Sequence, residues 1–307
     1  MKNIIFFALL LFGIACAPKT ETKETSTATE TVEVETPVQE QKALYKPDTI
    51  PSYQKFSEKD LIGYYVGKFR AVNPDIEKDY TAFNKINISI DEMTDGNIRG
   101  HSVVAGNDRP FEGTYQQEYD VYKFEVAEPG DDRYDGKFVF QIDAELQELK
   151  GDWYANDRKL AVAQRKYSLE KRSFEYNPNL ELPENAGWAR LSSVYNDHLL
   201  DISGGRELEH LTDDVLTVNP SKEKLTKSQV ENMYKGDLEV IRNSIYARHG
   251  YSFKNRKMRF LFDQYVDWYI PVSMDIRDQL TDLEKENIAL LKRYEDHAEK
   301  YYDSFGR

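Results

Sequence analysis

The sequence predicts a segregated α+β fold: an antiparallel β-barrel or barrel-like meander of about eight strands, followed by a small all-α domain. Three observations carry that prediction. Between Tyr53 and Tyr176 the chain runs in short alternating segments broken by turn residues. A Gly-x-aromatic element recurs within that stretch, at Gly63-Tyr64-Tyr65, Gly113-Thr114-Tyr115, Gly136-Lys137-Phe138 and Gly151-Asp152-Trp153. After Thr226 the apolar residues change to helical spacing, behind two capping boxes.

The strand segments fall at residues 61–69, 85–90, 98–105, 111–115, 121–127, 137–142, 149–154 and 160–174. In the second, Ile86, Ile88 and Ile90 alternate with polar residues, which puts the isoleucines on one face of a strand. Asp95-Gly96 after it suits a tight hairpin, and Asp135-Gly136 reads as another such turn. Closing a meander removes its exposed edges, which favours an up-and-down barrel. In each Gly-x-aromatic element the glycine lets the strand bend or a neighbour approach, and the aromatic covers it. Two interiors remain open for such a barrel: one filled by side chains, and one holding a single small apolar ligand.

Residues 181–220 read as a connector, with breaks at Gly204-Gly205 and Asn219-Pro220 and a short helix within 184–202. Residues 221–307 form the helical domain. Thr226-Lys227-Ser228-Gln229 is a capping box, Gly236 reads as the end of its helix, and Asp237 as the cap of the next. That second helix carries Leu238, Ile241 and Ile245 on one face and stops at Gly250. Asn255 caps a third, carrying Met258, Leu261, Phe262 and Tyr265. Thr281-Asp282-Leu283-Glu284 opens a long last helix with Leu283, Asn287, Leu290, Tyr294 and Tyr301 at helical spacing.

The first 15 residues look like a secretory signal: Lys2, then an apolar run from Ile4 to Ala15. That run is too short to span a bilayer, which needs ~20 apolar residues. Gly13-Ile14-Ala15-Cys16 resembles the bacterial lipobox, with glycine where leucine is usual. The resemblance implies lipidation of Cys16 and a membrane anchor. With the chain's single cysteine so used, no thiol remains for a disulfide, a zinc-cysteine site or a cysteine nucleophile. Residues 16–52 are rich in Thr, Glu, Lys and Pro and read as a disordered tether. The net charge of -13 lacks the basic footprint of a nucleic-acid binder.

Tyr246-Ala247-Arg248-His249-Gly250, with Arg242-Asn243-Ser244-Ile245 before it and Phe253, Trp268-Tyr269-Ile270-Pro271 and Leu283-Glu284-Lys285-Glu286-Asn287 after it, resembles the YARHG domain from Ser221 to Glu295. This family occurs in bacterial extracytoplasmic proteins, joined to varied partners. The resemblance implies a small helical module and an extracytoplasmic location, and it brings no biochemical activity. The barrel resembles the lipocalin type more loosely, with Gly63-Tyr64-Tyr65 where lipocalins carry Gly-x-Trp.

The motif sits at a helix C-terminus, where Arg248 and His249 meet the negative end of the helix dipole and Gly250 supplies a left-handed residue. Arg248 is placed to pair with Glu284 or Glu286 on the last helix. A sharper reading takes the local basic run (Arg242, Arg248, Lys254, Arg256, Lys257, Arg259) with Tyr246, Tyr251 and Phe253 as a patch for an anionic envelope glycan. Candidate binding residues are therefore Tyr246, Arg248, His249, Gly250, Tyr251, Arg242 and Trp268. The five histidines show no helical i, i+4 pair, and His101 and Ser102 point to opposite strand faces, so neither a metal nor a catalytic residue is expected. The acidic loop 128–136 reads as a plain hairpin loop, because Arg133 stands where a calcium loop needs oxygen. No cofactor is expected. The expected role is non-catalytic binding or scaffolding in the cell envelope, through a glycan or a partner protein. The alternative is a lipocalin-like carrier of a small apolar ligand.

Overall fold

The computed structural model describes residues 56–188, 190–191 and 209–301. The signal run, Cys16, the tether and the Gly204-Gly205 break lie outside the described residues. The described residues belong to one compact unit, Tyr53–Arg307. Among them, no helix is long and apolar enough to cross a membrane.

Eight antiparallel strands close into a barrel: β1 Gly63–Ala71, β2 Phe83–Thr94, β3 Asn97–Val104, β4 Asn107–Glu118, β5 Val121–Ala127, β6 Gly136–Asp143, β7 Glu148–Ala155 and β8 Gln164–Arg172. β1 pairs with both β2 and β8, which leaves no edge strand. Ile86, Ile88 and Ile90 all point inward and are buried. So are Tyr65, Tyr115, Phe138 and Trp153, the aromatic ends of the four Gly-x-aromatic elements. Gly136 shows why the glycine is needed: a Cβ there would stand 2.6 Å from the Trp153 ring. Phe124 and Phe140 stack at 4.7 Å between centroids near the middle of the core.

A one-turn helix, α1 Glu58–Leu61, plugs one end of the barrel. Leu61 is fully buried, and its carbonyl accepts from the Tyr65 hydroxyl at 3.0 Å. Tyr122 reaches the Phe56 carbonyl at 3.2 Å, and the Tyr115 hydroxyl bonds Glu58. The expected strand 61–69 therefore begins two residues late, because Leu61 belongs to the plug. Two further expectations are corrected. Asp95-Gly96 does form the β2–β3 turn, both residues having positive φ. Asp135-Gly136 does not turn a hairpin: Gly136 already opens β6 opposite Ala155, and Asp135 ties the preceding loop through Gly130 and Asp132 amides. The second left-handed glycine turn is instead Ala105-Gly106, between β3 and β4. The expected 160–174 segment shortens to β8, since 157–163 folds over the barrel end.

The helical part comprises α2 Lys227–Val230, α3 Lys235–Arg248, α4 Arg256–Tyr265 and α5 Asp282–Tyr301. The capping box at Thr226 opens only one turn. Gly236 and Asp237 lie inside the first turn of α3 rather than between two helices, which corrects their expected roles. Asp237 is fully buried and accepts from the Thr212 amide (2.8 Å) and hydroxyl (2.9 Å), so it holds the connector. Asn255 caps α4 as expected, accepting from the Lys257 amide at 2.8 Å. The connector contributes a 3-10 turn at Glu184–Trp188 and a second at Asp213–Leu216, whose Val215 enters the helical core.

Barrel and helices meet along the outer face of β2. The Lys85 amide donates to Asp263 at 3.0 Å, and its ammonium donates to the Val266 carbonyl at 2.7 Å, at the end of α4. Burial pushes the Lys85 ammonium down to about 8 and the Asp263 carboxyl up to about 7. Asn87 donates to the Pro271 carbonyl at 3.0 Å, and the Gly106 amide to Ser252 at 3.0 Å.

Candidate functional site

α3 ends in the Tyr246-Ala247-Arg248-His249-Gly250 motif. Gly250 has φ +72, and a Cβ there would come within 2.3 Å of Val272 and 2.9 Å of Phe174. Its carbonyl accepts from the Val272 amide at 2.8 Å. The left-handed residue thus turns the chain and admits two neighbours to its bare face.

His249, only 2% exposed, donates from Nε2 to Glu284 at 2.9 Å. Its ring stacks on Tyr176 at 4.2 Å, and the Tyr176 hydroxyl donates to the other Glu284 oxygen at 3.1 Å. Glu284 also closes the Thr281 capping box, accepting from the Thr281 amide (3.0 Å) and hydroxyl (3.1 Å). Burial alone would push the Glu284 carboxyl up. The bonds from His249 and the Thr281 amide outweigh it and hold the group at about 2.

Arg248 is 2% exposed and, among the described residues, the largest fully buried side chain. The expected pair with Glu284 or Glu286 is not formed. Arg248 Nε donates to the Leu180 carbonyl (2.8 Å), and Nη1 to Ser244 (2.8 Å). Its neighbour on the motif took Glu284, while Glu286 pairs with Lys224 at 2.7 Å. The Arg248 guanidinium lies over the Trp268 ring at 5.8 Å, and Trp268 Nε1 donates to the Glu181 carbonyl at 2.7 Å. Burial pushes Arg248 down to about 10. The motif therefore grips the segment leaving the barrel, from Phe174 to Glu181.

The basic run is dispersed. Arg242 forms a two-pronged pair with Glu295 (2.6 and 3.0 Å), Lys257 pairs with Glu239 (3.0 Å), and Arg256 with Asp79. Sequence spacing could not show this, because the partners come from other elements. Tyr246 and Tyr251 remain half-buried, their rings edge to face at 6.1 Å. They border a hollow of about 580 Å³ together with Arg242, Lys254 and Arg277.

A second hollow, of about 530 Å³, occupies the barrel end opposite the α1 plug. Its floor is Phe69, Phe138 and Trp153, and inward strand positions put Asn84, Arg109 and Arg165 around it. Glu128 lies within it, accepting from Gly136 (2.7 Å), Trp153 Nε1 (3.2 Å) and Ser102 (3.2 Å). Burial pushes its carboxyl up to about 7. Sequence reasoning missed Asn84, Arg109 and Arg165, although each falls on the inward phase of its own strand; Ser102 and the loop 128–136 enter it in other roles. His101 points outward to Asp91 at 2.8 Å while Ser102 points inward, as their adjacency required. In the loop 128–136, Asp132 and Asp135 are engaged by Arg109 at 3.4 and 3.0 Å.

Residues 214–296 match the YARHG domain. The match begins seven residues before the expected Ser221 and takes in Val215, which packs in the helical core. The YARHG domain is not a known catalytic domain. No curated protein matches the sequence.

Proposed function

We propose that the protein is a non-catalytic binding protein of the bacterial cell envelope, held to a membrane by lipid on Cys16, and that its YARHG domain contacts an anionic envelope glycan. The anchoring part is supported by the lipobox-like Gly13-Ile14-Ala15-Cys16 and by the YARHG match. One observation carries the binding part: the hollow where Tyr246 and Tyr251 stand beside Lys254, with Arg242 and Arg277 at its border already paired to Glu295 and Asp275, so that Lys254 is the cation it offers an anion. Aromatic faces suit sugar rings, and an ammonium suits carboxylate or phosphate as a point charge. Arg248, His249 and Gly250 serve this surface from beneath, by fixing the end of α3.

The test is sedimentation of residues 17–307 with purified cell wall at low and high salt, beside the Tyr251→Ala and Lys254→Glu variants. Salt-sensitive binding that both variants weaken supports the reading. Equal binding by all three proteins, or none by any, overturns the glycan contact. Labelling with an alkyne fatty acid, lost in Cys16→Ser, tests the anchor. The second reading, a carrier of a small apolar ligand, is favoured by the hollow inside the barrel.

A further inference from the structure

The barrel hollow has an unusual charge for this chain. The whole sequence carries a net charge of -13, yet the hollow's basic lining outnumbers its acidic lining, which is Asp79 and Glu128. Most of the basic groups at its rim have carboxylate partners: Lys78 with Asp75, Arg109 with Asp135, Arg133 with Asp157 and Arg256 with Asp79. Two guanidiniums do not. Among the described residues, neither Arg165 nor Arg259 has a carboxylate within ion-pair distance.

Arg165 points inward from β8. It donates to the carbonyls of Phe69 (3.1 Å) and Thr81 (3.2 Å) and lies over the Phe69 ring at 5.2 Å. Arg259 comes from α4, across the barrel mouth. It is 8% exposed, and its Nη1 donates to the Phe253 and Lys254 carbonyls. Its Nε is buried with no partner, and so is the Oδ1 of Asn84 on the same wall. Asp263 feels the Arg259 charge, but its Oδ2 is occupied by the Lys85 amide. Arg165 and Arg259 repel one another, and burial with that repulsion pushes Arg165 down to about 10. Two like charges, sequestered together and bonded only to neutral carbonyls, are costly unless an anion joins them.

We propose that the barrel mouth is a binding site for an amphipathic oxyanion, with an apolar body on Phe69, Phe138 and Trp153 and a single carboxylate or phosphate end between Arg165 and Arg259. This deepens the carrier reading and rests on it. It is independent of the glycan hollow. The volume of about 530 Å³ fits the size of small-molecule sites, and the hollow joins an apolar floor to a strongly polar, mostly basic rim, as an amphipathic anion requires. A guanidinium fork matches a carboxylate or a phosphate with two parallel bonds. Because Arg259 belongs to the YARHG domain and Arg165 to the barrel, the site exists only where the two meet. Burial pushes the Glu128 carboxyl up to about 7, so at neutral pH it cancels only part of the hollow's positive field.

The experiment is calorimetric titration of residues 17–307 with dodecanoate, dodecyl phosphate and dodecanol, below their aggregation concentrations. Dodecanoate or dodecyl phosphate should bind one to one, at least tenfold more tightly than dodecanol, and whichever is tighter identifies the head group. Arg259→Met should lose at least tenfold in affinity for the anion and leave dodecanol unchanged. Equal binding of dodecanol by the wild-type protein overturns the anion site while keeping an apolar carrier. No binding of any probe overturns both, whatever the cell-wall sedimentation shows. An Arg259→Met variant that melts like wild type and binds dodecanoate equally well also overturns the assignment. Should that variant not fold, the anion-to-alcohol ratio of the wild-type protein decides.

Discussion

Replacing Glu284 by Gln tests how the motif is held. The carboxylate is fully buried and is met by donors from His249, Tyr176 and Thr281. Glutamine keeps the shape. Its oxygen can take the position facing His249 and Thr281, and its amide can donate to the Tyr176 hydroxyl. What disappears is the negative charge. Glu284 is held at about 2 against an ordinary 4.5, and each unit of such a shift corresponds to 1.36 kcal/mol between protonation states. The charge is thus worth about 3 kcal/mol at neutral pH. The sign follows from protons bound: between the two values the unfolded chain holds the proton and the folded one does not. Stability from this group is complete above about pH 4.5 and vanishes as pH falls toward 2. Urea unfolding of residues 17–307 at pH 7 should show Glu284→Gln less stable by about 3 kcal/mol. Near pH 2.5 the two proteins should differ by less than about 1 kcal/mol. A penalty of the same size at both pH values would refute the reasoning, since the loss would then come from packing rather than charge.

Glu128→Gln should act in the opposite sense. With the folded carboxyl at about 7, the folded state keeps a proton the unfolded state has lost, so wild-type stability declines as pH rises from 4.5 to 7. The variant should therefore match wild type near pH 4.5 and exceed it by up to about 3 kcal/mol at pH 8 in the same urea assay. Gly250→Ala forces a side chain into a φ of +72 and against Val272, and should cost about 3 kcal/mol, read as a lowered urea midpoint. Lys85→Met removes the ammonium from the Val266 carbonyl and from beside Asp263. It should cost about 2–3 kcal/mol and speed hydrogen exchange in α4.

The barrel was legible because its strands obey one rule throughout. Ile86, Ile88 and Ile90, or Phe138 and Phe140, report both the strand and its inward face. The capping boxes at Thr226 and Thr281 and the Asn255 cap were legible for a similar reason: cap chemistry is local. What failed was long-range. Asp237 has the chemistry of a cap, and only the arrival of Thr212 from 25 residues away shows that it also holds the connector. Arg248 stood near an acidic helix, but the nearby His249 ring, stacked on Tyr176, holds Glu284. The barrel hollow is less legible, because its polar lining sits among apolar neighbours of the same phase. Asn84, Ser102 and Arg165 share the phase of the core residues beside them, and polar residues on an apolar phase mark either a defect or a site.

The grip on the segment leaving the barrel has a consequence for how this domain joins others. From Pro178 to Glu181 the side chains that hydrogen-bond the segment do so on main-chain oxygens: Arg248 and Asn219 on Leu180, Asn219 also on Pro178, and Trp268 on Glu181. Among the described residues, the one side-chain tie in that stretch is the Glu181 carboxylate with Lys222 at 3.9 Å. Carbonyls are common to all residues. The clasp therefore reads the path of the incoming chain more than its spelling, so positions 178–180 can drift in sequence without removing these bonds. A fastening of that kind is portable: it asks of an upstream neighbour mainly that it deliver a chain that makes the turn at 178–179 in the right place.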